Sequence, residues 1–132
     1  MRTLVTLMDA HDPHSREVHG MLEQQGYVVV RAGSPEELEL RVSEADCLAV
    51  LVDLDSTTLG SSFFKRVRHL QPHLSVLTMS DQAFHPELKE AMTHHICACL
   101  RKPLDREELL FWLKAVADYA TRARDPTSDP PR

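Results

Sequence analysis

Glycine is scarce in this chain, at 4 of 132 residues. No glycine-rich stretch follows an apolar run, so the backbone cradle of phosphate-binding loops and dinucleotide folds is missing. That counts against a cofactor-dependent enzyme. Aromatics make up only 5% of the residues, so the core must be built mostly from Leu, Val, Met and Ala. Cysteines number 3, an odd count without framework spacing, which suits a reducing cytoplasm better than a disulfide scaffold. Basic residues are outnumbered, with 15 Lys and Arg against 20 Asp and Glu for a net charge of −5. With the signs intermixed, this argues against direct reading of nucleic acid. Long apolar runs are absent as well: none approaches a bilayer span, and the apolar start at Leu4–Met8 is cut by Asp9 before it resembles a signal peptide.

What is present is organised around the run from Cys47 to Val52, which ends on Asp53. An apolar run this short and rich in Val and Leu fits a strand buried on both faces, as in a parallel sheet covered by helices. Asp53 then stands at the carboxyl end of a central strand, where open α/β sheets bind ligands. Taken by itself it could equally cap the following loop.

The flanking segments alternate. Thr3–Met8 reads as a first strand. Pro13 opens a helix with Val18, Met21 and Leu22 on one face, and Gly26 stops it. Tyr27–Val30 reads as a second strand. Ser34-Pro35-Glu36-Glu37 carries an N-cap, a first-turn proline and a capping-box glutamate, with Leu38 and Val42 on the buried side. Gly60-Ser61-Ser62 leads into a helix bearing Phe63, Phe64, Val67 and Leu70, ended by Pro72. Ser75–Met79 is a fourth strand ending at Ser80. A helix around Pro86–Thr93, a short strand Ala98–Leu100, and a helix capped by Asp105 and running to about Arg122 complete the order. Such alternation implies right-handed crossovers and a doubly wound α/β fold with a parallel sheet. Residues 1–121 form one domain in this reading. Residues 122–132, rich in proline and polar side chains, read as a tail or linker.

Parallel strands place Asp9, Asp53, Ser80 and Lys102 on one edge of the sheet. With the stretch Leu100-Arg101-Lys102-Pro103-Leu104-Asp105, Gly26-Tyr27 before the second strand and Val52-Asp53 ending the third, the sequence resembles the receiver domain of two-component response regulators. The resemblance covers roughly Thr3 to Tyr119. It implies a flavodoxin-like fold of strand order 2-1-3-4-5. It also implies a phosphoryl group taken on Asp53 from a histidine kinase or phosphotransfer protein, with Ser80 and Lys102 completing the switch. Asp9, Asp53 and the backbone carbonyl of Asp55 would hold Mg²⁺, and the Lys102–Pro103 bond would be cis. The chemistry needs these residue types, because a carboxylate nucleophile must approach an anionic phosphoryl group and positive charge offsets the repulsion. No catalysis beyond slow self-phosphorylation and dephosphorylation is implied.

The chain departs from the family pattern at three places. Ala10 stands where a second acid is usual, so Mg²⁺ should be held weakly, with the Asp55 side chain a candidate substitute. Asp12 is the more natural cap of the helix opened by Pro13. Cys99 replaces the usual inward-swinging aromatic, and His95-Ile96 replaces Gly-Ala. His94, His95, Cys97 and Cys99 have an atypical spacing for zinc, and buried or half-buried thiols beside surface histidines fit better. The remaining histidines default to solvated loop residues. In the last helix, Leu109, Leu113, Val116 and Ala120 should face the sheet, while Phe111, Trp112, Ala115 and Tyr119 form a second apolar strip for a homodimer or an effector. The expected function is a cytoplasmic phosphoacceptor domain that switches a protein-binding surface. The alternative is a pseudo-receiver, a phosphorylation-independent interaction module.

Overall fold

The computed structural model describes residues 3–9, 11–44, 46–56, 59–82 and 88–124, with residue 92 and residues 121–124 described by their backbone alone. Ala10, the helix start at Pro86 and residues 125–132 of the expected tail lie outside these.

Ten elements alternate along the chain: β1 (Thr3–Leu7), α1 (Pro13–Gln24), β2 (Val28–Ala32), α2 (Pro35–Glu44), β3 (Ala49–Asp53), α3 (Ser61–Leu70), β4 (Ser75–Ser80), α4 (Lys89–His94), β5 (Ala98–Arg101) and α5 (Arg106–Arg124). The strands form one parallel sheet in the order β2-β1-β3-β4-β5. The central strands β3 and β4 are buried along their whole length, which accounts for their lack of polar alternation.

Each face of the sheet is covered by its own layer. Val50 and Val52 of β3 pack with Leu38, Val42, Phe63, Phe64 and Val67 from α2 and α3. On the other face Ala49 and Leu51 pack with Val18 and Leu22 of α1 and with Leu109, Leu113 and Val116 of α5. Alternation along a strand thus feeds two cores at once.

Local signals set the helix ends. Asp12 Oδ1 accepts the His14 N–H at 3.0 Å and caps α1. At the other end Gly26 has φ +87°, a left-handed conformation that side chains resist, and it lets the Tyr27 N–H reach back to the Leu22 carbonyl. That turn occupies Tyr27, so β2 starts one residue later than the apolar pattern suggests. Ser34 Oγ accepts the Glu37 N–H, and the Glu37 carboxylate accepts the Gly33 N–H, a reciprocal cap of α2. Leu70 departs from expectation: in the last turn of α3 it has run past the sheet and is 42% exposed. α5 continues to Arg124, three residues into the stretch assigned to the tail.

Candidate functional site

Strand register assembles the site. Asp53 pairs with Met79, one residue before Ser80, and Ser80 pairs with Arg101, one residue before Lys102. Three side chains far apart in sequence therefore meet at the carboxyl edge of three neighbouring strands. The Lys102–Pro103 peptide bond that follows is cis.

Asp53 is 0% exposed. Its charge is balanced by Lys102, whose Nζ lies 2.7 Å from each carboxylate oxygen. The Asp55 N–H donates to Oδ1 and the Ser56 hydroxyl to Oδ2, both at 2.9 Å. A buried carboxylate requires such donors, since it would otherwise lose its hydration without compensation. Burial alone would lower the affinity of Lys102 for its proton, but the hydrogen bonds to Asp53 and Asp55 outweigh it and the balance is upward. The result is a buried carboxylate held beside a fixed cation. Ser56 was missing from the sequence reading; a hydroxyl three residues after a strand-end aspartate was the signal available.

Asp55 does more than its backbone carbonyl would require. Its carboxylate receives the Ser80 hydroxyl at 2.9 Å, the Asp81 N–H at 2.8 Å and Lys102 Nζ at 3.2 Å. Partial burial pushes the Asp55 carboxyl up, but the bonds from Asp81, Ser80 and Lys102 together hold it below the usual carboxylate range. Ser80, fully buried, also accepts the Gln82 N–H at 3.0 Å and so pins the first residues after β4.

Asp9 is placed differently. It is exposed, and its Oδ1 accepts the His11 N–H at 2.9 Å. Asp12 caps α1, in keeping with its expected part, and Ala10 lies outside the described residues. Among the described residues no three His, Cys, Asp or Glu side chains are gathered so as to hold a metal ion. Asp9 and Asp55 each accept hydrogen bonds from donors of their own, which leaves fewer carboxylate lone pairs for a divalent cation.

Two expectations need correction. Cys97 and Cys99 are exposed, not buried or half-buried. β5 is an edge strand bonded only to β4, and Cys99 and Arg101 occupy its open face, while Leu100 takes the core side. His19, left among solvated residues, is 2% exposed. It sits on the Ser15, Val18, Leu22 stripe of α1, a helical spacing that was legible in the sequence. Arg31 Nε donates to His19 Nδ1 at 2.7 Å, so Nδ1 carries no proton and Nε2 donates to Thr6 Oγ1 at 2.9 Å. His14 ties α1 to the connection between β5 and α5, its Nε2 accepting the Leu104 N–H at 3.2 Å.

The last helix follows the expected division. Leu109, Leu113, Val116 and Ala120 are buried, whereas Phe111 is 64% exposed. Phe111 meets Trp112 edge-on with ring centroids 5.5 Å apart, and Trp112 also packs against the core. Ala115 and Tyr119 are half-buried beside them.

The comparisons agree with this geometry. No curated protein is significantly similar to the chain. Solved structures are: a CheY-like receiver domain protein from Methanospirillum hungatei JF-1 is 17% identical, covers 93% of this chain and 98% of its own, and has a TM-score of 0.80. CheY4 of Vibrio cholerae, a chemotaxis response regulator, is 23% identical over 88% of this chain and 98% of its own, with a TM-score of 0.71. The receiver domain of the sensor histidine kinase PA1611 from Pseudomonas aeruginosa PAO1, solved with a magnesium ion in its active-site cleft, is 18% identical over 88% and 98%, with a TM-score of 0.74. Residues 5–114 match the family described as the response regulator receiver domain, and the chain belongs to that family.

Proposed function

We propose that this receiver domain takes a phosphoryl group on Asp53 from a histidine kinase or phosphotransfer protein and turns that event into a change of a protein-binding surface. The observation that carries the reading is the buried Asp53 carboxylate at the end of β3 with Lys102 Nζ at 2.7 Å. An Asp53 oxygen attacks the phosphorus of a phosphohistidine and the P–N bond breaks. The imidazole nitrogen leaves with the electron pair, neutral when the other ring nitrogen carries its proton. Lys102 offsets the repulsion between carboxylate and phosphoryl group, and the Asp55 N–H stands ready for a new oxygen. Ser80, at the head of the loop after β4, relays the change outward. The reaction is a transfer onto the protein itself rather than turnover of a separate substrate.

Mg²⁺ enters this reading only as a weakly held ion, because the carboxylates are turned to other partners and Ala10 supplies no charge. The cytoplasm is the matching compartment. The strip of Phe111, Trp112, Ala115 and Tyr119 serves as the surface for a second copy or an effector, since the exposed Phe111 continues into the half-buried Trp112, Ala115 and Tyr119 as one apolar strip. A second reading, an interaction module independent of phosphorylation, is favoured by one observation: the Asp55 carboxylate already occupies Ser80, Asp81 and Lys102.

Incubation with a small acyl phosphate and Mg²⁺, followed by intact mass, separates the two. The phosphoacceptor reading requires one added phosphoryl group on the wild type and none on Asp53→Asn. A wild type that stays unmodified favours the interaction module.

A further inference from the structure

Three donors from two strand ends converge on the Asp55 carboxylate: the Ser80 hydroxyl at 2.9 Å, the Asp81 N–H at 2.8 Å and the Lys102 ammonium at 3.2 Å. A hydroxyl, a backbone N–H and an ammonium together suit an oxyanion with several acceptor oxygens. The same ammonium lies 2.7 Å from Asp53. An anionic group bonded to an Asp53 oxygen would therefore extend toward the donors that Asp55 holds. A loop carboxylate that merely closed its own turn would bond within its own segment. Asp55 instead ties the loop after β3 to the ends of β4 and β5.

The consequence reaches the start of the next loop. Ser80 donates to Asp55 and accepts the Gln82 N–H, and Asp81 donates to Asp55 directly. Asp81 is thus held by the Asp55 carboxylate directly, and Gln82 through the Ser80 hydroxyl that donates to it.

We propose that Asp55 is a resident stand-in for the phosphoryl group: its carboxylate holds Ser80 and the start of the loop after β4 in the drawn-in position before any modification, and it must be displaced when Asp53 is phosphorylated. The first half concerns the unmodified protein. The second half rests on the phosphoacceptor reading of Asp53. Two carboxylates and a phosphoryl group cannot share one ammonium without repulsion, so Asp55 competes with the incoming group rather than assisting it. Phosphorylation then replaces one anion by another, and the positions of Asp81 and Gln82 are set in the unmodified chain.

The test uses the full chain as wild type, Asp55→Ala and Asp55→Asn, the last nearly unchanged in size should the alanine variant fold poorly. Residue-resolved amide exchange on unphosphorylated protein reads the first half. The Asp81 amide, which donates to the Asp55 carboxylate directly, should exchange roughly tenfold faster in Asp55→Ala, as expected for loss of a charge-assisted hydrogen bond, and the Gln82 amide, held through the Ser80 hydroxyl, should follow to a smaller extent. Labelling by a small acyl phosphate with Mg²⁺ reads the second half. There an Asp53 oxygen attacks phosphorus, the bond between phosphorus and the acyl oxygen breaks, and the carboxylate leaves with the electron pair. The initial rate should rise roughly tenfold in both variants. Unchanged exchange at Asp81 and Gln82 overturns the inference whatever the labelling does. Faster exchange with slower labelling overturns the displacement. Faster exchange with no label on any form supports the stand-in and instead refutes Asp53 as phosphoacceptor.

Discussion

Replacing Lys102 by Met removes one ammonium and strands two carboxylates. Asp53 is fully buried, and the Lys102 side chain is only 10% exposed, so water cannot readily take the place of the lost charge. Breaking such a pair from one side costs about 3–5 kcal/mol. Two features move the value toward the lower bound. Asp53 keeps the Asp55 N–H and the Ser56 hydroxyl, and the Asp55 side chain is 25% exposed and can be rehydrated. About 3 kcal/mol is therefore expected for Lys102→Met, a drop in Tm of roughly 10 °C for a domain of this size. Urea melts should show a lower midpoint at an unchanged slope. Adding Asp53→Asn removes the stranded buried charge and should restore about 2 kcal/mol of the loss, although the second substitution alone has no stabilising contact to offer. A cost below about 1 kcal/mol, or a double variant no more stable than Lys102→Met, would refute the claim that Lys102 compensates the burial of the Asp53 carboxylate.

Three other expectations follow from the same structure. Phe111→Glu should leave the melting temperature within about 2 °C of wild type, because the ring is mostly exposed, while abolishing self-association or effector capture measured by sedimentation or titration. A wild type that is monomeric at high concentration and a partner indifferent to the change would rule the surface out. Burial, and then the Arg31 guanidinium, hold His19 below its ordinary value of 6.5, with Glu23 opposing. The unfolded chain therefore takes up a proton first as pH falls. Stability from neutral His19 is complete above about pH 6.5 and is lost below it, so the melting temperature should fall from pH 7.5 to 5 in wild type and fall less in His19→Gln. Asp12→Ala should cost about 1 kcal/mol, as loss of an N-cap, without altering the labelling of Asp53; a labelling defect would make Asp12 part of the site instead.

Much of the fold was legible because its local signals are strong and mutually consistent. The unbroken run before Asp53 marks a strand covered on both sides, and Ser34-Pro35-Glu36-Glu37 marks a helix start by three separate devices. Asp53, Ser80 and Lys102 could be brought together from strand ends alone, since parallel register carries them to one edge. Side-chain direction was harder to read. The Asp55 side chain, weighed only as a substitute metal ligand, takes donors from β4 and the loop after it, partners 25 and 26 residues away that the local sequence does not reveal. Cys97 and Cys99 were misjudged because burial beside an edge strand depends on what covers that face, which the local sequence does not carry. His19 was misjudged for the opposite reason: its helical spacing pointed inward, and its polar ring finds Thr6 and Arg31 there.

The most direct test of Asp53 as phosphoacceptor is transfer from a phosphohistidine donor followed by site mapping. A phosphorylated phosphotransfer protein is mixed with the chain, the acyl phosphate is reduced with borohydride, and the peptides are sequenced by mass. The account requires the aspartate-to-homoserine conversion at Asp53, with Asp9, Asp12 and Asp55 unmodified. Reduction at another carboxylate, or none in either the wild type or Asp55→Ala, would contradict it.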